Sequence, residues 1–206
     1  MLKIWGRLSS VNVQKVVWCA DELGLAYERV DAGGKFGIND TPEYLAKNPN
    51  GLVPTIEEDG FVLYESNAIV RYLAAKDAEA RLWPKDLRGR ADADRWMEWQ
   101  STSYTPAMTA IFWQLVRTPE GERDPKAIEA SRLKSEKCTG ILDAHLASRE
   151  WLAAGRFTTA DIVVGCALHR WLHLPIRREP RPNVERYYER LKARPASRQV
   201  TLQPLT

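Results

Sequence analysis

The chain is short of the residues that build stapled or metal-dependent folds. It has three cysteines, Cys19, Cys138 and Cys166, and three histidines, His145, His169 and His173, in 206 residues. The cysteines are odd in number and far apart, which excludes a disulfide framework, and they read as buried small hydrophobes in a reducing cytoplasm. Neither set has metal or triad spacing, so no metal is expected. No apolar run approaches the roughly 20 residues of a bilayer span. The opening MLKIWGRLSS has no extended apolar core like that of a signal peptide. Charge of one sign is also scarce: the net charge is +3. One local cluster (Arg170, Arg177, Arg178, Arg181) falls short of the stripe with aromatic interleaving that a nucleic-acid role predicts, so it reads as a solvated face, and no nucleic acid or membrane is expected as a partner. Repeats and low-complexity tracts are absent. What remains, 44% apolar and 28% charged, is an ordinary soluble globular composition with length for one large domain or two small ones.

Strand and helix signals alternate over the first 76 residues. Leu2 to Trp5 reads as a strand; Val13, Val16, Val17, Ala20 and Leu23 mark one helix face that stops at Gly24. Residues 26–31 read as a second strand. Thr41-Pro42-Glu43 starts a helix, with a capping hydroxyl and a proline in the first turn. Strands over 54–57 and 61–64 pair about an Asp59-Gly60 turn, and a helix follows over 66–76. This β-α-β-α-β-β-α order matches an α/β thioredoxin-like fold. Residues 77–88 read as a linker pinned by Trp83-Pro84, after which strand signals vanish and 89–206 reads as all-α. Long helices are expected over 89–117, bent by Pro106, and over 125–150. Thr158 to Asp161 forms a capping box, with Phe157 and Ile162 as its hydrophobic staple. The helix after it, IVVGCALHRWLHL, is apolar nearly all round and must be buried; two shorter ones are expected over 183–193 and 195–200.

The most specific stretch is NGLVPTIEEDGFVLYESN, from Asn50 to Asn67. Pro54 opens a strand, where a proline loses no ladder hydrogen bond, and a cis Val53-Pro54 bond would leave the Val53 backbone free to pair with an extended peptide. Glu65-Ser66 opens a helix whose N–H groups and dipole favour a carboxylate. A backbone edge beside an anion-binding helix start suits γ-Glu-Cys-Gly.

The segment, the linker and the helical second half together resemble the cytosolic glutathione transferase family, and the resemblance covers essentially the whole chain. It implies the glutathione transferase fold, glutathione as co-substrate without a metal, a homodimer, and a cytoplasmic detoxification role. Residue by residue, Ser10 stands six positions before the core residue Val16, where serine-type members carry the hydroxyl that holds the glutathione sulfur as thiolate. A single charge-assisted hydrogen bond of about 1.5–3 kcal/mol is enough to lower a thiol pKa by about two units. Asn12 gives the Ser-x-Asn turn of bacterial and fungal relatives near the theta, zeta and nu-like classes, in which an asparagine amide can donate to sulfur. Both residues also read as helix caps. Val53 and Pro54 carry over as the backbone partner of the cysteinyl unit, Glu65 and Ser66 as the γ-glutamyl clamp, and Lys35, with Lys47 as a rival, as the partner of the glycyl carboxylate. Asn50 supports the loop before the proline. For the electrophile, the resemblance points to Arg7, Leu8, Trp99, Tyr104 and Trp113; the three aromatic residues also read as core or domain-interface packing.

The chain departs from tyrosine-type classes, because Trp5 and Gly6 stand where the tyrosine belongs, and from cysteine-type thiol transferases, because Ser10 is not a cysteine. Three functions follow from the resemblance. The first is a glutathione transferase attacking a small apolar electrophile. The second is a glutathione-dependent disulfide reductase or peroxidase using Asn12. The third is a non-catalytic binder of glutathione or apolar ligands.

Overall fold

Hydrophobic periodicity along the chain shifts from about two to about 3.6 residues, and the elements follow it. The computed structural model describes residues 1–205. The first part comprises β1 (Leu2–Trp5), α1 (Val11–Leu23), β2 (Tyr27–Val30), α2 (Pro42–Leu45), β3 (Thr55–Glu58), β4 (Phe61–Tyr64) and α3 (Ser66–Ala75). The sheet order is β2-β1-β3-β4, with β1 parallel to β2 and β3 antiparallel to both its neighbours. Register places Ile4 opposite Ile56, both fully buried, so one face of the sheet is core. On the other face, the edge of Trp5 meets Tyr44 of α2 with ring centroids 6.2 Å apart. α1 packs between α3 and the helical half, and that two-sided contact buries nearly all of it. Gly24 ends α1 in the left-handed conformation that glycine adopts without strain.

The second part is helical: α4 (Leu87–Trp99), α5 (Thr105–Phe112), α6 (Pro125–Leu146), α7 (Thr159–His173), α8 (Pro182–Lys192) and α9 (Arg198–Thr201). The helix expected over 89–117 is continuous, but its winding changes twice. Gln100–Tyr104 and Trp113–Arg117 are π-helical. The first wide turn runs into Pro106, the second residue of α5, where the missing N–H is tolerated more easily than in a regular helix interior. The helix expected over 125–150 stops at Leu146.

Asp161 anchors the start of α7. Its carboxylate accepts the Thr158 N–H (2.8 Å) and hydroxyl (3.1 Å), the Leu152 N–H (3.0 Å) and the Tyr187 hydroxyl (2.9 Å), while fully buried. Burial raises its pKa to about 6. Beyond this cap α7 is apolar and packs on α1, where a Cβ at Gly165 would lie 3.0 Å from Trp18.

Candidate active site

Two clefts flank the loop between β1 and α1. The loop can lie against the segment before Pro54 because residue 6 is glycine: a Cβ there would meet Val13 at 2.4 Å and Val53 at 3.2 Å. The Val53-Pro54 bond is cis. Among the described residues, neither the N–H nor the C=O of Val53 takes a hydrogen bond within the chain.

What fixes this segment is a residue the sequence reading passed over. Asn48 is buried and donates to the Leu52 carbonyl at 2.9 Å, and the Tyr44 hydroxyl donates to the same oxygen at 2.6 Å. Asn50 stands outside, giving its N–H and its Nδ2 to Asn48 Oδ1. It therefore supports the loop through Asn48 and does so from an exposed position. Of the two lysines considered for the glycyl carboxylate, Lys47 is ion-paired with Glu57 at 2.6 Å. Lys35 is exposed, lies 5.2 Å from the Phe36 ring centroid, and lines a cleft.

The first cleft, about 360 Å³, lies at the start of α3 and is lined by Asn12, Lys15, Glu65, Ser66, Asn67 and residues of the α4 end. Glu65 holds φ at 72°, a conformation that costs a non-glycine residue about 1–3 kcal/mol and that clusters at ligand-binding positions. It hands the chain into α3 with its carboxylate exposed. The Ser66 hydroxyl donates to Asn12 Oδ1 at 3.4 Å, and that bond leaves the Asn12 amide nitrogen free to donate.

Lys15 is the second residue missed. It stands on α1 among valines, only 2% exposed, and its ammonium donates to Ser66 Oγ (3.4 Å) and Asn67 Oδ1 (3.3 Å). Burial lowers its pKa from 10.5 to about 8. At neutral pH a positive charge thus stands beneath the first turn of α3 and adds to the helix dipole. The signal was present in the sequence, since a lysine interrupts the apolar face of α1, but the face alone does not say what the lysine meets.

Ser10 is the N-terminal boundary residue of α1, half-buried, and its hydroxyl makes no hydrogen bond within the described residues. The capping role weighed for it is therefore unfilled, and so is that for Asn12, whose side chain bonds Ser66 instead.

The second cleft, about 440 Å³, is lined by Arg7, Leu8, Ser9, Lys35, Phe36, Arg117 and others. Of the residues expected at the electrophile site, Arg7 and Leu8 line this cleft and the aromatic ones do not. Tyr104 is fully buried with its hydroxyl on Thr139 at 3.1 Å, in the core between helices, and lines neither cleft. Trp99 packs on Trp96 and Tyr104 and faces shallow hollows shared with Ile141. Trp113 is 58% exposed at the second π-helical turn and does not line the cleft either. These turns shift the helix phase from Gln100 onward, and Arg117, in the second of them, lines the cleft where Tyr104 and Trp113 do not.

Among the described residues, no group of three or more His, Cys, Asp or Glu could hold a metal ion, and no helix is long and apolar enough to cross a membrane.

The sheet, the free Val53 backbone and the polar start of α3 define a thioredoxin-like peptide-binding unit joined to a helical one. Residues 5–81 match the family described as glutathione S-transferase, N-terminal domain, and 104–195 match glutathione S-transferase, C-terminal domain. The chain is 42% identical over 208 residues to the glutathione S-transferase GstB of Escherichia coli strain K12, covering 100% of each. It is 32% identical to a probable glutathione S-transferase GSTF2 of Oryza sativa subsp. japonica, over 97% of this chain and 95% of that one. Among solved structures it is similar to a theta-class glutathione S-transferase from the citrus canker pathogen Xanthomonas axonopodis pv. citri with glutathione bound. There the TM-score is 0.95 and the identity 45%, covering 100% of this chain and 99% of that one. The chain belongs to the glutathione S-transferase family.

Proposed function

We propose that the protein is a glutathione transferase in which residues 1–76 bind glutathione and 89–206, beyond the 77–88 linker, supply the far wall of the second-substrate site. The observation that carries the reading is the charged start of α3: Ser66 and Asn67 hold Lys15 beneath a helix N-terminus, with Glu65 exposed beside it. A γ-glutamyl α-carboxylate fits the helix N–H groups and Ser66, and its α-ammonium fits Glu65. The Val53 N–H and C=O pair with the cysteinyl backbone as an added strand would. That pairing directs the cysteinyl side chain toward the β1–α1 loop. The uncommitted Ser10 hydroxyl donates there to the sulfur and holds it as thiolate; Lys35 meets the glycyl carboxylate. The thiolate attacks a second substrate in the cleft walled by Arg7 and Leu8.

One observation favours a second reading. Asn12 lines the same cleft as Glu65 and Ser66 and keeps a free amide donor, so it can serve the sulfur in place of Ser10, as suits glutathione-dependent disulfide or peroxide reduction. The test is an ultraviolet titration of thiolate absorbance in the complex with glutathione, from about pH 5 to 9, where a free thiol has a pKa of about 8.5. A thiolate formed near pH 6.5 in the wild type (~ two units below the free thiol) and lost in Ser10→Ala supports the first reading. A thiolate that survives Ser10→Ala and is lost in Asn12→Ala supports the second, and an unshifted thiol in all three rejects both.

Likeness to the family also supports a cytoplasmic homodimer; sedimentation at micromolar concentration that stays at 23.5 kDa rejects the dimer.

A further inference from the structure

The widened turn after α4 gives the α3 cleft a second wall. Gln100–Tyr104 is π-helical, and the Thr105 N–H closes the turn on the Gln100 carbonyl. Five residues apart on an α-helix, two side chains diverge by about 140°. A turn that closes from i to i+5 brings them back to one face. Gln100 and Thr105 accordingly both line the α3 cleft, together with Asn12, Glu65 and Ser66. Asn67 ties the wide turn to the start of α3: its Nδ2 donates to the Met97 carbonyl at 3.0 Å, and its Oδ1 accepts from Lys15 at 3.3 Å.

The two residues are joined through their side chains as well. Gln100 Nε2 donates to Thr105 Oγ1, and the half-buried Thr105 hydroxyl keeps its own hydrogen without an acceptor among the described residues. Its neighbours differ, since Ser101 and Thr102 both give their hydroxyls to the Glu98 carbonyl, at 3.0 and 2.8 Å. Gln100 is fully buried, and its Oε1 takes no hydrogen bond. Native structures ordinarily pair such atoms, and an apolar pair of the same shape would pack without leaving one over. An unpaired acceptor beside a free hydroxyl donor matches the two charges of an α-amino acid: the acceptor suits the ammonium and the donor the carboxylate.

We propose that Gln100 and Thr105 are a second recognition edge for the α-amino-acid end of glutathione. Gln100 Oε1 accepts from the α-ammonium, and the Thr105 hydroxyl, positioned by Gln100 Nε2, donates to the α-carboxylate. The inference rests on the transferase reading above. Glu65 and Ser66 then meet this zwitterion at the start of α3, and the widened turn meets it from the helical half. The wide turn thereby acts in specificity and not only in helix packing.

The test is calorimetric binding of three thiols to the whole protein. They are glutathione, glutaryl-Cys-Gly, which lacks the α-amine, and 4-aminobutanoyl-Cys-Gly, which lacks the α-carboxylate. Thr105→Val should weaken the two carboxylate-bearing thiols about tenfold, the effect of one hydrogen bond to a charged group. It should leave 4-aminobutanoyl-Cys-Gly within about twofold of its wild-type value, and Thr105→Ser should restore the loss. Gln100→Leu should weaken glutathione about tenfold more than it weakens glutaryl-Cys-Gly. Equal factors for all three thiols in both variants, or no change in either, would mean that the pair only supports the helix. That result overturns the inference and leaves the transferase reading standing. If Gln100→Leu does not fold, the Thr105 comparison decides alone. A wild type that binds none of the three thiols overturns both readings.

Discussion

The two clefts beside the β1–α1 loop carry positive charge in opposite ways. At the start of α3 one lysine is buried almost completely, but its ammonium is held by Ser66 and Asn67 and faces a helix terminus. Across the loop, Arg7 and Arg170 are less enclosed, and burial disfavours the charged form of each. The first arrangement is organised in advance for one known group geometry. The second pairs cations with aromatic rings, Arg170 and Arg117 both lying against Phe112. The contrast teaches that burial depth is a weaker guide to a ligand site than the state of a charged group's partners.

The largest expected effect strikes both clefts at once. Asp161 anchors α7, which packs on α1 and carries Cys166 and Arg170 within electrostatic reach of Lys15. Asp161→Asn turns an amide NH₂ toward two of the four donors that meet the carboxylate. It should cost about 2–4 kcal/mol in urea unfolding. Both clefts should then lose occupancy at a lower denaturant concentration; a change within about 0.5 kcal/mol would show that the cap is dispensable.

Glu65→Gln comes next and should separate the clefts. It removes a charge from the α3 cleft alone, so KM for glutathione should rise about tenfold to a hundredfold. KM for the electrophile should stay as in the wild type, and a shifted value would mean that the clefts are not independent.

Lys15→Met is the subtlest. It replaces the buried cation by an apolar chain of similar length, and KM for glutathione should rise by about tenfold or less, as for one lost interaction of modest size. Stability should move the other way with pH. The Lys15 pKa falls on folding from 10.5 to about 8, so the unfolded chain holds the extra proton between those values. The wild type therefore gains stability as pH rises from about 8 to 10.5 and loses it as pH falls through about 8. Relative to wild type, the methionine variant should be most favoured below pH 8, and its advantage should shrink toward 10.5. Charged and titratable neighbours on the packed elements are Glu65 at the α3 start, Glu98 of α4, and Cys166 and Arg170 of α7. A stability difference independent of pH would mean that Lys15 keeps its ordinary pKa.

The fold was legible because its signals are local. The Asp59-Gly60 turn, the Thr41-Pro42 helix start and the Thr158 to Asp161 box each need only neighbours within about four residues, the reach of capping and turn chemistry. Each reappears in the structure. The glutathione half of the candidate site shares that property, because Val53-Pro54 and Glu65-Ser66 are contiguous pairs. The electrophile half depends on helix phase. A π-helical turn leaves no hydrophobic signature of its own, Tyr104 and Trp113 fall within two of them, and neither lines the second cleft.

The amino-acid sequence by itself determined the element order, the break before the helical half, the proline-led strand and the acidic entrance to α3. All of these depend on dihedral preference and short-range hydrogen bonding. Tertiary structure alone decided that Lys15 would stand under Ser66 and that Asn48 would hold the loop before Pro54. The physical reason is range. Electrostatic and packing contacts join residues tens of positions apart, and their sign and depth are fixed only when the helices have settled against the sheet.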